Sequence, residues 1–224
     1  TLFLAFSKAA LAQFGNCTAS EMRTYVDSAT GNTITMLTDT MKNDRFLYQT
    51  DPMWTADGKY LLFRSSSRGN DKEVESTLPN GEKRKWTPTQ IYFIEMATGK
   101  IIQATEGPNL GSAFLANKTN RMFVSRKEKE NWNMYVMDLN KFFADVKQGK
   151  VGKPSAYETF IGTFPTEMGR PGGYAVDCND DYAYITVERE GTEEEKERMM
   201  KNAFLPESNQ PVKIKPTLCA VSYT

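Results

Sequence analysis

Two arginines follow a short apolar run and are separated by residues with hydroxyl groups. Arg64 and Arg68 follow the run Tyr60–Phe63, and three serines at positions 65–67 lie between them. The guanidinium group is a planar fork that binds a carboxylate through two parallel hydrogen bonds, and serine hydroxyls suit the hydroxyls of a sugar. The pattern therefore indicates a site for an acidic, hydroxyl-rich ligand. A surface ion pair or a contact between neighbouring sheets would explain the same two arginines equally well.

A third arginine lies in a segment rich in turn-forming residues. Arg170 is followed by Pro171, Gly172, Gly173 and Tyr174. Glycines let a ligand approach the backbone closely, while the arginine offers a carboxylate contact and the tyrosine a face for stacking. We predict that Arg170 and Tyr174 contribute to substrate binding. A plain turn between two sheets is the alternative that this segment leaves open.

Residues for catalysis or metal binding are scarce. The chain of 224 residues has no histidine, which removes the commonest general base, the commonest metal ligand and any Ser-His or Cys-His pair. Cys17, Cys178 and Cys219 are widely spaced and form no C-x-x-C pair of the kind typical of zinc or redox sites. We therefore assign no catalytic residue and no metal ligand.

The composition is that of a folded, electrically balanced protein. Lys and Arg together number 28, as do Asp and Glu, and 12% of the residues are aromatic. A balanced charge gives no basic field to attract nucleic acid, and this aromatic content is too high for a disordered chain. We predict no nucleic-acid partner and no membrane span.

The first residues resemble the end of a secretory signal peptide. Residues 1–12 read TLFLAFSKAALA, an apolar run that ends in the small-residue pattern Ala10-Leu11-Ala12. We predict cleavage before Gln13 and a periplasmic protein. A buried helix at 1–12 is the alternative.

Three segments repeat one pattern of apolar start, polar turn and alternating strand. They span residues 51–65, 111–125 and 174–187, and the first contains the tight-turn pair Asp57-Gly58. The alignment places Trp54, Phe114 and Val176 in one column and Phe63, Phe123 and Ile185 in another, with spacings of 60 and 62 residues. Such spacing is typical of four-stranded propeller blades that carry insertions. We predict an all-β fold, a partial β-propeller of about three blades, which forms an incomplete propeller domain at 13–224.

A second motif and several insertions complete the predicted organisation. The segments 25–38 and 91–105 each read as strand, Thr-Gly turn and strand, as expected of the outer hairpin of a blade. Residues 69–87 predict a protruding hairpin or loop, and 140–153 a short helical or loop insertion. Residues 192–202 predict a short helix with acids in its first turn and bases in its last. Residues 217–221 predict the first strand of a fourth unit.

The repeat resembles the TolB-like propeller repeat, and the chain as a whole resembles the N-terminal part of oligogalacturonate lyases. The residues that carry the second resemblance are Leu37-Thr38-Asp39, Tyr48-Gln49-Thr50-Asp51-Pro52, Phe63-Arg64-Ser65-Ser66 and Arg68-Gly69. This family is built on a seven-bladed propeller, so the resemblance implies that the chain is an N-terminal fragment of such a ring.

The resemblance also implies an activity, the β-elimination of short pectin-derived oligogalacturonides. A base removes the proton at C5 of a galacturonate unit and the glycosidic oxygen leaves from C4, which requires cations aimed at the neighbouring carboxylate. In the family the base and most ligands of a Mn²⁺ ion are histidines. We therefore expect these groups to lie in later blades of the same chain, and the 224 residues alone to be inactive.

Two other functions fit the repeat. A TolB-like propeller that binds partners without catalysis needs no histidine. The gating propeller of a serine peptidase requires a downstream G-x-S-x-G segment, which these 224 residues lack.

Overall fold

The computed structural model describes residues 14–69, 73–77, 81–164, 170–188, 194 and 217–222, and they are mostly β-structure. The strands in chain order are β1 (Cys17–Thr18), β2 (Arg23–Val26), β3 (Thr33–Met36), β4 (Asp44–Arg45), β5 (Tyr60–Ser65), β6 (Val74–Thr77), β7 (Lys83–Trp86), β8 (Gln90–Glu95), β9 (Ile101–Gln103), β10 (Leu110–Leu115), β11 (Arg121–Glu128), β12 (Asn131–Asp138), β13 (Glu158–Phe164), β14 (Arg170–Val176), β15 (Tyr182–Glu188) and β16 (Thr217–Ser222).

These strands form three larger antiparallel sheets and two separate hairpins. The first sheet has the order β1-β9-β8-β5-β4, the second β10-β11-β12-β13 and the third β14-β15-β16. The second sheet is a four-stranded meander, which is the arrangement expected of a propeller blade. The hairpins β2-β3 and β6-β7 pair within themselves. The all-β prediction is confirmed, the strand–turn–strand predicted at 25–38 is present as β2-β3, and the hairpin or loop predicted at 69–87 contains the hairpin β6-β7.

The three repeated segments form antiparallel strand pairs, but their alignment needs one correction. The structure pairs Trp54 with Leu61, Leu115 with Met122, and Val176 with Ala183, so that successive pairs lie 61 residues apart. Leu115, rather than Phe114, is thus equivalent to Trp54.

The same one-residue shift makes Val124, rather than Phe123, equivalent to Phe63. A shift of one residue moves a side chain to the opposite face of a sheet. Val124 packs in the core shared with the first sheet, whereas Phe114 and Phe123 pack toward the third sheet. The sequence alignment matched aromatic residues by type and so placed them on the wrong face.

The strand β16 also differs from its prediction. Residues 217–221 were expected to begin a fourth unit, yet β16 pairs with β15 along its whole length, from Thr217 opposite Val187 to Ser222 opposite Tyr182. It is therefore the third strand of the third sheet.

A helix, α1 (Leu139–Gln148), follows β12 and overlaps the insertion predicted at 140–153. The Asp138 side chain caps its N-terminus by accepting a hydrogen bond from the Lys141 N–H, and Gly149 ends it with φ of 67°. The helix buries Leu139, Phe142 and Phe143, which recur at the spacing of one helical face. Only residue 194 of the helix predicted at 192–202 is described, and the predicted signal peptide at 1–12 lies outside the described residues. No helix of the described residues has the length and apolar character needed to cross a membrane.

The main core lies between the first two sheets and α1. The ring of Phe143 stacks on Tyr60 with centroids 3.6 Å apart and meets Phe93 edge-on at 5.1 Å. A second core, built around Phe114, Phe123 and Met134, lies between the second and third sheets. The sheets therefore pack face to face, as neighbouring blades do.

A buried carboxylate joins the second sheet to the third. Asp180 is 4% exposed and accepts hydrogen bonds from the backbone N–H groups of Asn117, Lys118 and Thr119, each at 2.7 Å. The Thr119 hydroxyl donates a further bond to it at 3.0 Å. These bonds fix the β10-β11 turn against the turn that precedes β15.

Candidate functional site

A cleft of about 800 Å³ lies where β4 and β5 of the first sheet approach the first strands of the second and third sheets, β10 and β14. Its lining comes from β4, the end of β5, the hairpin strand β7, the start of β10 and β14. Strands β10 and β14 contact each other, which brings residues of the second and third sheets to the same wall. A cavity of this size is typical of a small-molecule or oligosaccharide site.

Two arginines face each other across neighbouring strands in this cleft. Arg45 on β4 is directly opposite Arg64 on β5, and both side chains are exposed. Arg45 Nε donates to Asn43 Oδ1 at 3.3 Å. Within the described part of the chain, no carboxylate lies within ion-pair distance of either guanidinium, although Asp51 also lines the cleft. Like charges directly opposite on a sheet repel, so this pair favours the binding of an anion.

Aromatic side chains provide the apolar surface of the cleft. Tyr48 is 68% exposed and Trp86 is 37% exposed. Tyr174 is held in place, because its ring stacks on Phe114 at 4.8 Å and its hydroxyl bonds Ser125 Oγ at 2.7 Å. Flat rings beside cationic groups suit a ligand that has both apolar ring faces and charged substituents.

The structure brings together two of the four predicted binding residues. Arg64 and Tyr174 line the same cleft although they are far apart in the sequence. The backbone of Arg170 pairs with Glu188 in the third sheet, while its side chain lies outside the described part of the structure. Arg68 lies elsewhere.

The predicted binding residue Arg68 lies outside the cleft, where its side chain bridges two carboxylates. Its side chain is 6% exposed and donates two hydrogen bonds to Glu21 and two to Asp44, at 2.5 to 2.9 Å. Burial disfavours the charged guanidinium, but the bonds to both carboxylates outweigh it and raise the pKa of Arg68 above its ordinary value. The hydrogen bonds from Arg68 in turn lower the pKa of Glu21. Four of the five N–H groups of Arg68 are occupied in this way, so the side chain has no second pair of donors for a ligand carboxylate.

Sequence reasoning missed Arg45, Arg84 and Trp86, which also line the cleft. A signal was available for the last two, because Lys83-Arg84-Lys85-Trp86 alternates along a strand and so places Arg84 and Trp86 on one face. Arg45 lies in a strand of two residues, too short to give a periodic pattern.

Comparison with known proteins gives a match in fold. No protein-family model matches the chain, and no curated protein matches it in sequence. Among solved structures, an oligogalacturonate lyase in complex with manganese superposes with a TM-score of 0.54 and 19% identity over 79% of this chain and 39% of its own. The oligogalacturonate lyase of Vibrio parahaemolyticus gives 0.53 and 20% over 78% and 38%.

The chain has the fold of the oligogalacturonate lyases. It spans about two fifths of the length of these two enzymes. The predicted resemblance is thereby confirmed at the level of fold.

The described residues do not fit the manganese that one of these lyases binds. Mn²⁺ takes carboxylate, imidazole and water ligands, and the chain has no histidine. No group of three His, Cys, Asp or Glu side chains within the described ranges is placed to hold a metal. Cys17 and Cys178 are free and exposed, and burial raises the pKa of the Cys17 thiol, which disfavours the thiolate.

Proposed function

We propose that this chain supplies blades of an oligogalacturonate lyase-like β-propeller and that its arginine cleft binds short pectin-derived oligogalacturonides. The observation that carries the proposal is the Arg45–Arg64 pair. It is exposed in a cleft of suitable size and is not neutralised by a described carboxylate. The match in fold to two oligogalacturonate lyases supports the same ligand class.

The role proposed for the arginines is to neutralise a uronate carboxylate. In β-elimination a base takes the C5 proton, the electrons of the C5–H bond form the C4=C5 double bond, and the C4–O bond breaks to release the glycosidic oxygen. The negative charge that develops beside the carboxylate is stabilised by fixed cations. Arg45 and Arg64 can supply that charge.

We further propose that the base and the manganese ligands come from residues beyond these 224, as the absence of histidine requires if this protein follows the family pattern. The chain itself then binds oligogalacturonide and does not cleave it. The proposed periplasmic location rests on residues 1–12 alone.

A calorimetric titration of the 224-residue chain with trigalacturonate, alongside its methyl ester, tests the binding proposal. The ester keeps the sugar rings and removes the charges. We expect the acid to bind and the ester to bind at least tenfold more weakly, with the acid's affinity falling as salt rises. Equal affinity for acid and ester, or binding of neither, would show that the arginine pair does not recognise uronates.

A non-catalytic TolB-like binding propeller is the second candidate, favoured by the absence of histidine. The two candidates differ in the longer protein that contains these blades. Under the lyase proposal, that protein with Mn²⁺ releases unsaturated products, seen as new ultraviolet absorbance from trigalacturonate. Under the alternative it binds protein partners and the absorbance stays constant.

A further inference from the structure

The hairpin β6-β7 lies outside the sheet in whose sequence it is inserted. Strand β5 pairs directly with β8 over six residues, from Tyr60 opposite Glu95 to Ser65 opposite Gln90. The hairpin, which comes between them in the sequence, pairs only with itself in the described structure. The first sheet is therefore complete without the hairpin. Completing that sheet is not the reason why the hairpin lies at the cleft.

The two faces of this hairpin have different surroundings. Glu75 is opposite Lys85 in the strand register, and Lys83 Nζ lies 2.7 Å from Glu75 Oε1. Side chains alternate along a strand, so these three residues share one face. That face is exposed, and Glu75 forms an ion pair with Lys83 on it.

The other face carries Arg84 and Trp86, and it turns toward the protein. Their partners across the hairpin, Ser76 and Val74, are half-buried, whereas Glu75 and Thr77 on the first face are exposed. Arg84 and Trp86 both line the cleft that contains Arg64. The hairpin thus places one cation and one aromatic ring against the wall formed by β4 and β5.

The charge on this inner face is not balanced. No carboxylate of the described residues lies within ion-pair distance of Arg84. The cleft therefore contains a third arginine in addition to Arg45 and Arg64, against one lining carboxylate, Asp51, among the described residues. A third unpaired cation on a separate element matches a ligand with more than one carboxylate.

We propose that the β6-β7 hairpin is a substrate-binding arm that makes the cleft select oligomers over single uronates. The inference rests on the proposed function: Arg45 and Arg64 bind the carboxylate of one uronate, Arg84 binds that of a neighbouring uronate, and Trp86 stacks on a sugar ring. A monosaccharide occupies the first position only. The arm then sets the minimum length of the ligand.

The experiment is a comparison of dissociation constants for galacturonic acid, digalacturonate and trigalacturonate, measured by calorimetry on the 224-residue chain. The variants are Arg84→Gln and Trp86→Ala on the inner face, with Lys83→Gln as the matched control on the outer face. Thermal melting of each variant verifies that it is folded. These positions are exposed or half-exposed, so we expect the melting temperatures to stay close to that of the wild type.

We expect the wild-type chain to bind trigalacturonate at least tenfold more tightly than galacturonic acid. Arg84→Gln should weaken trigalacturonate binding by about tenfold or more, and leave galacturonic acid within about twofold. Lys83→Gln should change neither ligand by more than about twofold. Trp86→Ala should follow the pattern of Arg84→Gln.

Two results would contradict the proposed role of the hairpin as a substrate-binding arm. If Arg84→Gln weakens all three ligands equally, or has no more effect than Lys83→Gln, then the hairpin does not bind a second uronate, although the cleft still binds uronates. If the wild-type chain binds none of the three galacturonate ligands, then the proposed function is wrong, and the proposed role of the hairpin is wrong as well.

Discussion

Replacing Arg68 with methionine tests whether this arginine is structural. Arg68→Met keeps most of the length of the side chain and removes the guanidinium that bridges Glu21 and Asp44. The Arg68 side chain is 6% exposed, and those of Glu21 and Asp44 are 25% and 10% exposed. Removing one partner from a buried ion pair typically lowers the free energy of unfolding by about 3–5 kcal/mol. Because Glu21 is partly exposed, we expect the loss for Arg68→Met to lie at the lower end of that range. We therefore expect a loss of about 3 kcal/mol in the free energy of unfolding.

The assay is urea unfolding followed by tryptophan fluorescence, with Arg64→Met as the matched control. Arg64 is exposed and has no described carboxylate partner, so its replacement should change the free energy of unfolding by no more than about 0.5 kcal/mol. A loss below about 1 kcal/mol for Arg68→Met, or equal losses for both variants, would refute the structural assignment.

The same assay at acid pH provides a second check on this ion pair. The pKa of Glu21 is lowered from its ordinary value of 4.5, chiefly by the hydrogen bond from Arg68. A lowered pKa in the folded state stabilises the protein above the unfolded pKa, and this stabilisation is lost as pH falls through the folded value. The difference between wild type and Arg68→Met should therefore shrink as the pH drops below about 4.5.

Two further predictions concern carboxylates that hold turns. Asp180→Asn keeps a residue that tolerates the left-handed backbone (φ 62°) but removes the charge that accepts three backbone N–H groups. We expect Asp180→Asn to lower the free energy of unfolding, measured in urea, by about 2 kcal/mol. The control is Asp181→Asn, whose side chain makes no hydrogen bond within the described residues, and it should lower the same free energy by less than about 0.5 kcal/mol. Equal losses for the two variants would contradict the role of Asp180 in holding the turn. Burial opposes ionisation of Asp57, but hydrogen bonds from Thr55 and Lys59 outweigh it and lower the pKa of Asp57 from 3.8 to about 2. The stabilisation from Asp57 should be complete above about pH 4 and disappear toward pH 2. The melting temperatures of wild type and Asp57→Asn should therefore converge as the pH falls through that range. Melting temperatures that move apart as the pH falls would contradict the lowered pKa of Asp57.

Local signals were sufficient to predict much of the fold. Asp57-Gly58 predicts a tight turn, and Gly58 adopts the positive φ of 68° that the turn requires. The single-residue error at Phe114 arose because aromatic residues occupy both faces of the second sheet. Register there is decided by which neighbouring sheet a side chain packs against, and this information is not local.

The candidate site was predictable only in part, for the same reason. Arg64 and Arg68 look alike in the sequence, and only the fold shows that Glu21 and Asp44 occupy Arg68 while Arg64 faces the cleft. Arg45 becomes notable once its position opposite Arg64 is known. The contacts of each guanidinium in the fold, which the local sequence does not reveal, separate Arg64 from Arg68.

The most direct test of the arginine cleft is the dissociation constant of trigalacturonate for Arg64→Gln relative to the wild-type chain. A charged hydrogen-bonding group in contact with a carboxylate typically contributes about 1.5–3 kcal/mol, which corresponds to about tenfold or more in affinity. We predict that Arg64→Gln weakens binding by at least tenfold while its unfolding curve matches that of the wild type. An unchanged dissociation constant in the folded variant would contradict the assignment of the cleft as the uronate-binding site.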